Sequence, residues 1–443
     1  MHLVSKINFL KANFFSIAFA LIPFSFITGN MIVNINIISL IIATLIIHNK
    51  KLLNLKFFLV DKIIIIFFIF IITTGLINDI FVFNKLFWGT KFATTIKSLL
   101  FLKYLLLYIS IRYLIENNFL KFKYFFISCG LATIFVCFDI FYQFIFGVDV
   151  FGFKEPPPEL RKLGGPFGDE LIAGGFIQRF GVFSFFVIPL FFKKKFQYLN
   201  TYVITILFII FFLGIILSGN RMPALLFLLS VILILIFQKQ TRKFLPTFII
   251  IFLLVFFTAF NLNSKVKSNF KNFYGQISMI VVYMINLDKN ETKQPKYYLK
   301  EFSSFYETWQ INKFTGGGIK GFRYYCHLRK NIDKKNAKSL CNMHPHNYYL
   351  EILTETGLIG FLIAMSFFLI TIYLSFYKKY FSKSKLNNNN LIIPFIFLFI
   401  VEIFPIKSTG SFFTTGNATY IFILLATLIA IVRRGNLSGN KIK

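Results

Sequence analysis

Residues 12–49 read ANFFSIAFALIPFSFITGNMIVNINIISLIIATLIIHN, thirty-eight positions without a Lys, Arg, Asp or Glu. A helix needs about 20 mainly apolar residues to cross a bilayer, so the stretch holds two crossings. Thr28-Gly29-Asn30 divides it at a turn-forming trio. The reading is therefore a tight helical hairpin in a membrane. Working outward, comparable apolar runs fall at about 63–78, 97–115, 124–146, 171–192, 199–218, 221–237, 244–262, 352–377, 391–406 and 417–432. The expected fold is an all-α polytopic membrane protein of about twelve transmembrane helices. One long, partly helical periplasmic loop precedes the last three spans. Three regions follow: a nine-span part (1–262), the long loop (263–349) and a three-span part (350–443).

Composition agrees. The 443 residues are 56% hydrophobic, with 65 Phe, and 48 Lys+Arg oppose 17 Asp+Glu for a formal charge of +31. Disorder is excluded by that hydrophobicity. A nucleic-acid binder is excluded because the basic residues lie between runs of membrane length instead of clustering on a polar surface. The first apolar run is too long for a cleavable signal peptide and no small-x-small site follows it, so it reads as an anchor.

Lys and Arg in short loops set orientation. Lys50, Lys51, Lys56 and Lys62, then Lys121 and Lys123, Lys193–Lys195, Lys239 with Arg242 and Lys243, Lys378 to Lys385, and Arg433-Arg434 fall on alternate turns. The intervening short turns are poor in basic residues, and 405–417 holds only Lys407. Both termini are thus expected inside, with the long loop outside. That loop carries fifteen Lys and Arg against five Asp and Glu. Long loops cross largely regardless of charge, so it leaves the orientation intact while its charge needs another purpose.

Candidate chemistry gathers on the expected outer face. His344-Pro345-His346-Asn347 closes the long loop, and Leu350, Leu353 and Gly357 recur beyond it at helical spacing. Asn347 suits an N-cap, so a helix is expected to start there. An imidazole at this rim can serve as a general base; a His-Pro-His-Asn turn also serves simply as a polar helix entrance. A metal would have to recruit Glu351, Glu355 or Cys341, and no spacing resembles a zinc pattern, so none is expected. Arg221 follows Ser218-Gly219-Asn220 at the outer end of a span, and Arg161 lies in an outer loop. Arginine binds phosphate oxygens in a bidentate fork, although interfacial snorkelling explains many such residues. Arg179 sits about eight residues inside its span, where a charge is functional or paired, with Asp139 or Glu402 as partner. Cys326 and Cys341, fifteen positions apart in the outer loop, are expected to form a disulfide in an oxidising compartment. Cys129 and Cys137 read as packing residues.

The segment His344–Gly360 resembles the signature of the O-antigen ligase and polymerase superfamily: a His-Asn pair, then a Leu-x-x-Leu-x-Glu-x-Gly-x-x-Gly helix after a long periplasmic loop. Ser218–Leu229 resembles that family's Ser-x-x-Arg segment, Asp139–Gly152 its segment before the first outer loop, and Arg161–Phe176 its Arg-x-x-Gly-x-Phe-Gly region. The family's first arginine corresponds to Arg161 or Arg179, with Arg161 preferred. The resemblance implies a metal-independent, cofactor-free glycosyltransferase in the bacterial inner membrane. Its donor would be a glycan on undecaprenyl diphosphate, and its acceptor a lipid A-core sugar for a ligase, another glycan for a polymerase or a protein for a protein O-glycosyltransferase. It also implies diphosphate binding by Arg161, Arg221 or Arg179, a base in His346 or His344, and support from Asn347 and Glu355. A flippase for a lipid-linked sugar is the rival from another class; the clustering of residues on one rim, without paired repeats around a midplane site, speaks for the enzyme.

Overall fold

The computed structural model describes residues 12–82, 92–155, 162–192, 198–238, 241–242, 245–262, 298–329, 341, 345–382, 384–405, 407 and 410–437, with scattered residues in 267–278. Arg161 and His344 lie outside the described residues.

The chain is helical. Its first nine helices are α1 (Ala12–Thr28), α2 (Asn30–Leu53), α3 (Leu59–Phe81), α4 (Ala93–Glu116), α5 (Phe122–Phe146), α6 (Ala173–Phe191), α7 (Tyr198–Leu217), α8 (Arg221–Phe237) and α9 (Leu245–Leu262). Two loop helices follow, α10 (Tyr298–Trp309) and α11 (Phe322–Tyr325), then α12 (Tyr348–Ile372), α13 (Ile393–Glu402) and α14 (Thr415–Leu437). Among the described residues, eight helices are long and apolar enough to cross a membrane. Four shorter apolar ones, at Ala12–Thr28, Arg221–Phe237, Pro246–Thr258 and Asn390–Glu402, occupy the other expected positions. This is a multi-pass membrane protein. The predicted hairpin turns at Gly29, whose φ of 108° suits a residue without Cβ.

The α14 helix forms the centre. Nearly all its apolar side chains, from Tyr420 to Val432, are buried, and it packs chiefly on α4. Outward faces stay apolar: Ile35, Ile42 and Ile46 on α2 and Leu131, Ile134 and Phe138 on α5 are exposed, as a lipid-facing surface requires. Phe supplies much of the interior, as where Phe395 meets Phe122, Phe126 and Phe183 at centroid distances of 5.5, 5.9 and 5.0 Å.

Several charges inside the bundle are paired. Arg112 of α4 lies 2.6 Å from Asp61 and 2.8 Å from Glu116, and Arg433 of α14 reaches Glu116 at 3.0 Å. Tyr108 donates to Asp61 at 2.5 Å. This knot joins the start of α3 to the ends of α4 and α14, and Lys121 meets Asn13 at 2.8 Å. Asp61, Glu116, Lys121 and Arg433 belong to turns expected at the inner face, and Arg112 and Asn13 lie toward the same ends of their spans. The turns expected outside meet at the opposite end: Leu163 N donates to Ser218 O at 3.2 Å and Asn347 Nδ2 to Pro405 O at 2.9 Å.

Helical spacing through Gly357 predicts an unbroken helix, and here the structure differs. Gly357 has φ 63° and ψ −172°, which breaks α12. The glycine-rich segment Thr315–Gly321 lies across the break. Gly317 N and Gly318 N donate to Thr354 O (3.2 Å) and Glu355 O (2.8 Å), while Leu358 N and Ile359 N donate to Lys313 O (2.8 Å) and Phe314 O (3.1 Å). In an unbroken helix, Leu358 and Ile359 would donate to Thr354 and Glu355 themselves. The loop has replaced one turn's internal bonds with its own, which satisfies backbone that could not otherwise sit at membrane depth.

Candidate functional site

Asn347 is the N-cap of α12. Its backbone is extended (φ −139°, ψ 124°), and its Oδ1 accepts from Tyr349 N at 3.0 Å and Leu350 N at 3.1 Å. Its Nδ2 binds Pro405 O, so one side chain caps the helix and ties it to the α13–α14 connection. His346 precedes it in the left-handed region, φ 49°, between buried Pro345 and the cap. This conformation costs a non-glycine residue about 1–2 kcal/mol, although His adopts it more readily than most. Such strain, held by fixed neighbours on both sides, is a feature of functional sites.

The next residue, Tyr348, leads into a buried polar cluster. Its hydroxyl donates to Glu402 Oε1 at 2.7 Å and accepts from Lys407 Nζ at 3.1 Å. Glu402, the last residue of α13, also receives Arg179 Nη2 at 2.8 Å and Nε at 3.3 Å, and Lys407 at 2.5 Å. Arg179 thus takes Glu402 as its partner. Asp139 instead accepts from Val150 N at 2.7 Å and shapes the turn after α5. Asn417 of α14 accepts from Arg179 Nη2, and Tyr420 lies beneath the guanidinium at 5.2 Å while donating to Arg179 O at 2.8 Å. One edge of the guanidinium is therefore clamped. Its Nη1 has no hydrogen-bond partner among the described residues, and the side chain remains 15% exposed. Arg179 lies about 9 Å along α6 from Ala173, so the cluster sits just inside the expected outer rim.

Arg221 opens α8 at the same end. The side chains of its turn press against the α6 backbone: a Cβ on Gly174 would lie 2.6 Å from Asn220 Cβ and 2.7 Å from Ser218 Oγ. Only glycine permits that approach. Lys162 stands beside it, and partial burial followed by the Arg221 guanidinium holds its ammonium below the usual lysine range. Arg179, Arg221, Lys162, Lys407 and His346 thus all lie at the end of the bundle expected to face outward.

Glu355 belongs to a second cluster, further along α12. It accepts from the backbone N–H of Lys320, whose φ is 64°. Lys320 Nζ reaches Glu351 at 3.2 Å and Ser411 Oγ at 3.1 Å, and Glu351 also accepts from Ser411 Oγ and Phe412 N, each at 2.5 Å. Against the cost of burial, Glu351 and Glu355 hold the Lys320 ammonium above the usual lysine range. These bonds join the glycine-rich segment, α12 and the connection that carries Lys407.

Cys326 and Cys341 are bonded, with Cα atoms 5.5 Å apart. They pack with Phe305 and Phe322, whose rings stack at 3.6 Å, to form a small core for the described part of the loop. That core sits on α12, where Thr354 Oγ1 meets Phe305 O at 3.4 Å.

Sequence reasoning missed Lys407, Tyr348, Asn417 and the Lys320–Glu351–Ser411 group. Lys407 had a usable signal, since it is the single charged residue of the 405–417 turn, in a chain whose expected outer short turns are poor in basic residues. The others had none, because their partners are distant in sequence.

Residues 206–365 match the family model described as O-antigen ligase. The match contains Arg221, both loop cysteines, His346, Asn347 and Glu355, and it ends before Glu402 and Lys407. No curated protein matches the chain.

Proposed function

From the premise that this chain carries a domain of the O-antigen ligase family of membrane glycosyltransferases, we propose that it transfers a glycan from undecaprenyl diphosphate to a lipid A-core sugar at the periplasmic face of the bacterial inner membrane. The acceptor hydroxyl attacks the anomeric carbon, the bond from that carbon to the diphosphate oxygen breaks, and undecaprenyl diphosphate departs with the bonding pair. His346 accepts the hydroxyl proton, with His344 as the second candidate. Arg179 and Arg221, with Arg161 from the adjoining loop, neutralise the charge that grows on the departing diphosphate. Asn347 fixes the backbone of His346, and Glu355 secures the loop segment on α12.

The observation that carries this reading is the strained backbone of His346, fixed by Pro345 and by Asn347's double duty as helix cap and anchor to Pro405. A backbone held in this way fixes the point from which the imidazole projects, which lowers the entropy lost when it meets an acceptor. Arg179 supports it from nearby, because Glu402 and Asn417 orient the guanidinium and leave Nη1 without a partner among the described residues. The basic loop adds a long-range field that favours diphosphate donors and phosphorylated acceptors.

Deletion of the gene, with surface glycan resolved by size, is the test. Bare core with finished polymer retained on undecaprenyl diphosphate is the expected result. A single capped repeat would assign a polymerase of the same family instead. Accumulation of the donor on the cytoplasmic side would assign a flippase.

A further inference from the structure

Lys407 projects from the short connection between α13 and α14, and its side chain is 4% exposed. Its ammonium donates to Glu402 and Tyr348 and lies 4.6 Å from the centre of the Tyr348 ring. Those two bonds leave one of three N–H donors without a partner among the described residues. Arg179, on the other side of Glu402, likewise has its Nη1 donors open. Two cations thus share one carboxylate. A surplus charge in a water-poor site is costly unless a further anion completes it.

We propose that Lys407 is a phosphate ligand, which with Arg179 forms a two-cation cradle about Glu402 for one phosphate of an isoprenyl diphosphate. This deepens the glycosyltransferase reading and rests on it. The phosphate enters along the exposed edge of Arg179. Lys407 swings its flexible stem from Glu402 toward it, and Arg179 keeps Glu402 paired throughout. Lysine acts here as a movable point charge, whereas the clamped arginine provides a fixed fork.

The site makes this ligand pH-dependent. Burial outweighs Glu402 and, with Arg179, holds the Lys407 ammonium down at about 7 in the donor-free protein. The groups facing it are Glu402 on α13, Arg179 on α6, and Tyr348 on α12. The Glu351–Lys320 pair lies one helical turn further along α12, and His346 two residues before Tyr348. A bound phosphate favours the charged lysine, so its folded, ligand-bound pKa rises above that of the free site. Affinity is then full below about pH 7 and falls about tenfold per pH unit above it.

The test measures binding of undecaprenyl-diphosphate-linked N-acetylglucosamine to the full chain in lipid nanodiscs. This probe's diphosphate keeps a constant charge from about pH 6 to about pH 9. Wild type should lose affinity as the pH rises through that range. Lys407→Arg, charged throughout, should bind with no such loss. Lys407→Met should bind about ten- to hundredfold more weakly at the acid end, and its profile should be flat. The same profiles in a His346→Ala background separate the lysine from the imidazole. Inorganic pyrophosphate should compete poorly, and equal competition would overturn the assignment to a lipid diphosphate. If Lys407→Met fails to fold, the contrast between wild type and Lys407→Arg still decides. Parallel profiles for those two overturn the role of Lys407 but leave the functional reading standing. Absence of binding by wild type at every pH overturns both.

Discussion

Replacing Gly357 with Ala should expel the glycine-rich loop segment from α12 while leaving the helix in place. At φ 63° and ψ −172° the backbone occupies a region open essentially to glycine alone, and a side chain there costs about 1–3 kcal/mol. The new Cβ would also stand 2.3 Å from the carbonyl carbon and oxygen of Phe314 and 2.5 Å from Thr315 N, all backbone atoms that cannot rotate away. Four hydrogen bonds span the break, and at about 0.5–1.5 kcal/mol each they contribute roughly 2–6 kcal/mol to docking. The strain and the clash oppose docking, so once they expel the segment its amides lose the roughly 2–6 kcal/mol of protection that those bonds gave. Global stability should fall by less, because Leu358 and Ile359 regain Thr354 and Glu355 as helical partners. The assay is hydrogen exchange of the amides of Gly317 and Gly318. Even the low end of the range predicts acceleration by about thirtyfold or more. Transferase activity should fall at least about tenfold, since Lys320 leaves Glu351 and Glu355. Unchanged exchange at Gly317 and Gly318 together with full activity would refute the idea that the loop is stitched into the broken helix.

Two further outcomes are expected. Arg221→Lys should lower kcat/KM by about tenfold or more, because a point charge cannot reproduce a bidentate diphosphate contact; activity equal to wild type would show that Arg221 serves only as an interfacial anchor. Cys326 and Cys341 should resist thiol alkylation until reduced, and their replacement by Ser should loosen the core around Phe305 and Phe322 by up to about 3 kcal/mol, read as faster proteolysis of residues 298–329.

The spans were legible because apolar runs of membrane length are a property of local sequence, and the Gly29 turn between α1 and α2 falls inside the first of them. The start of α12 was legible for the same reason: an Asn cap and an apolar repeat stand side by side. The break at Gly357 was not. It depends on Thr315–Gly321, some forty positions earlier, and the glycine reads as helical until that segment is placed against it. Arg179 shows an intermediate case. Its depth within α6 announced a partner, but Asp139 and Glu402 were equally plausible until packing brought the end of α13 beside it. Tyr348 and Asn417 carried no charge to flag them. Lys407 was visible as a basic residue in an otherwise uncharged outer turn, yet its pairing with Glu402 required the fold. Arg161 and His344, both legible as candidates, lie outside the described residues, so Arg179, Arg221 and His346 bear the geometric argument.

The most direct test of the account is glycan transfer by purified protein, using an undecaprenyl-diphosphate-linked glycan as donor and lipid A-core as acceptor. Wild type should release undecaprenyl diphosphate as it extends the acceptor. His346→Ala should bind donor normally and lose transfer by about a hundredfold or more, the usual contribution of a positioned base. Transfer by folded His346→Ala at the wild-type rate would contradict the account.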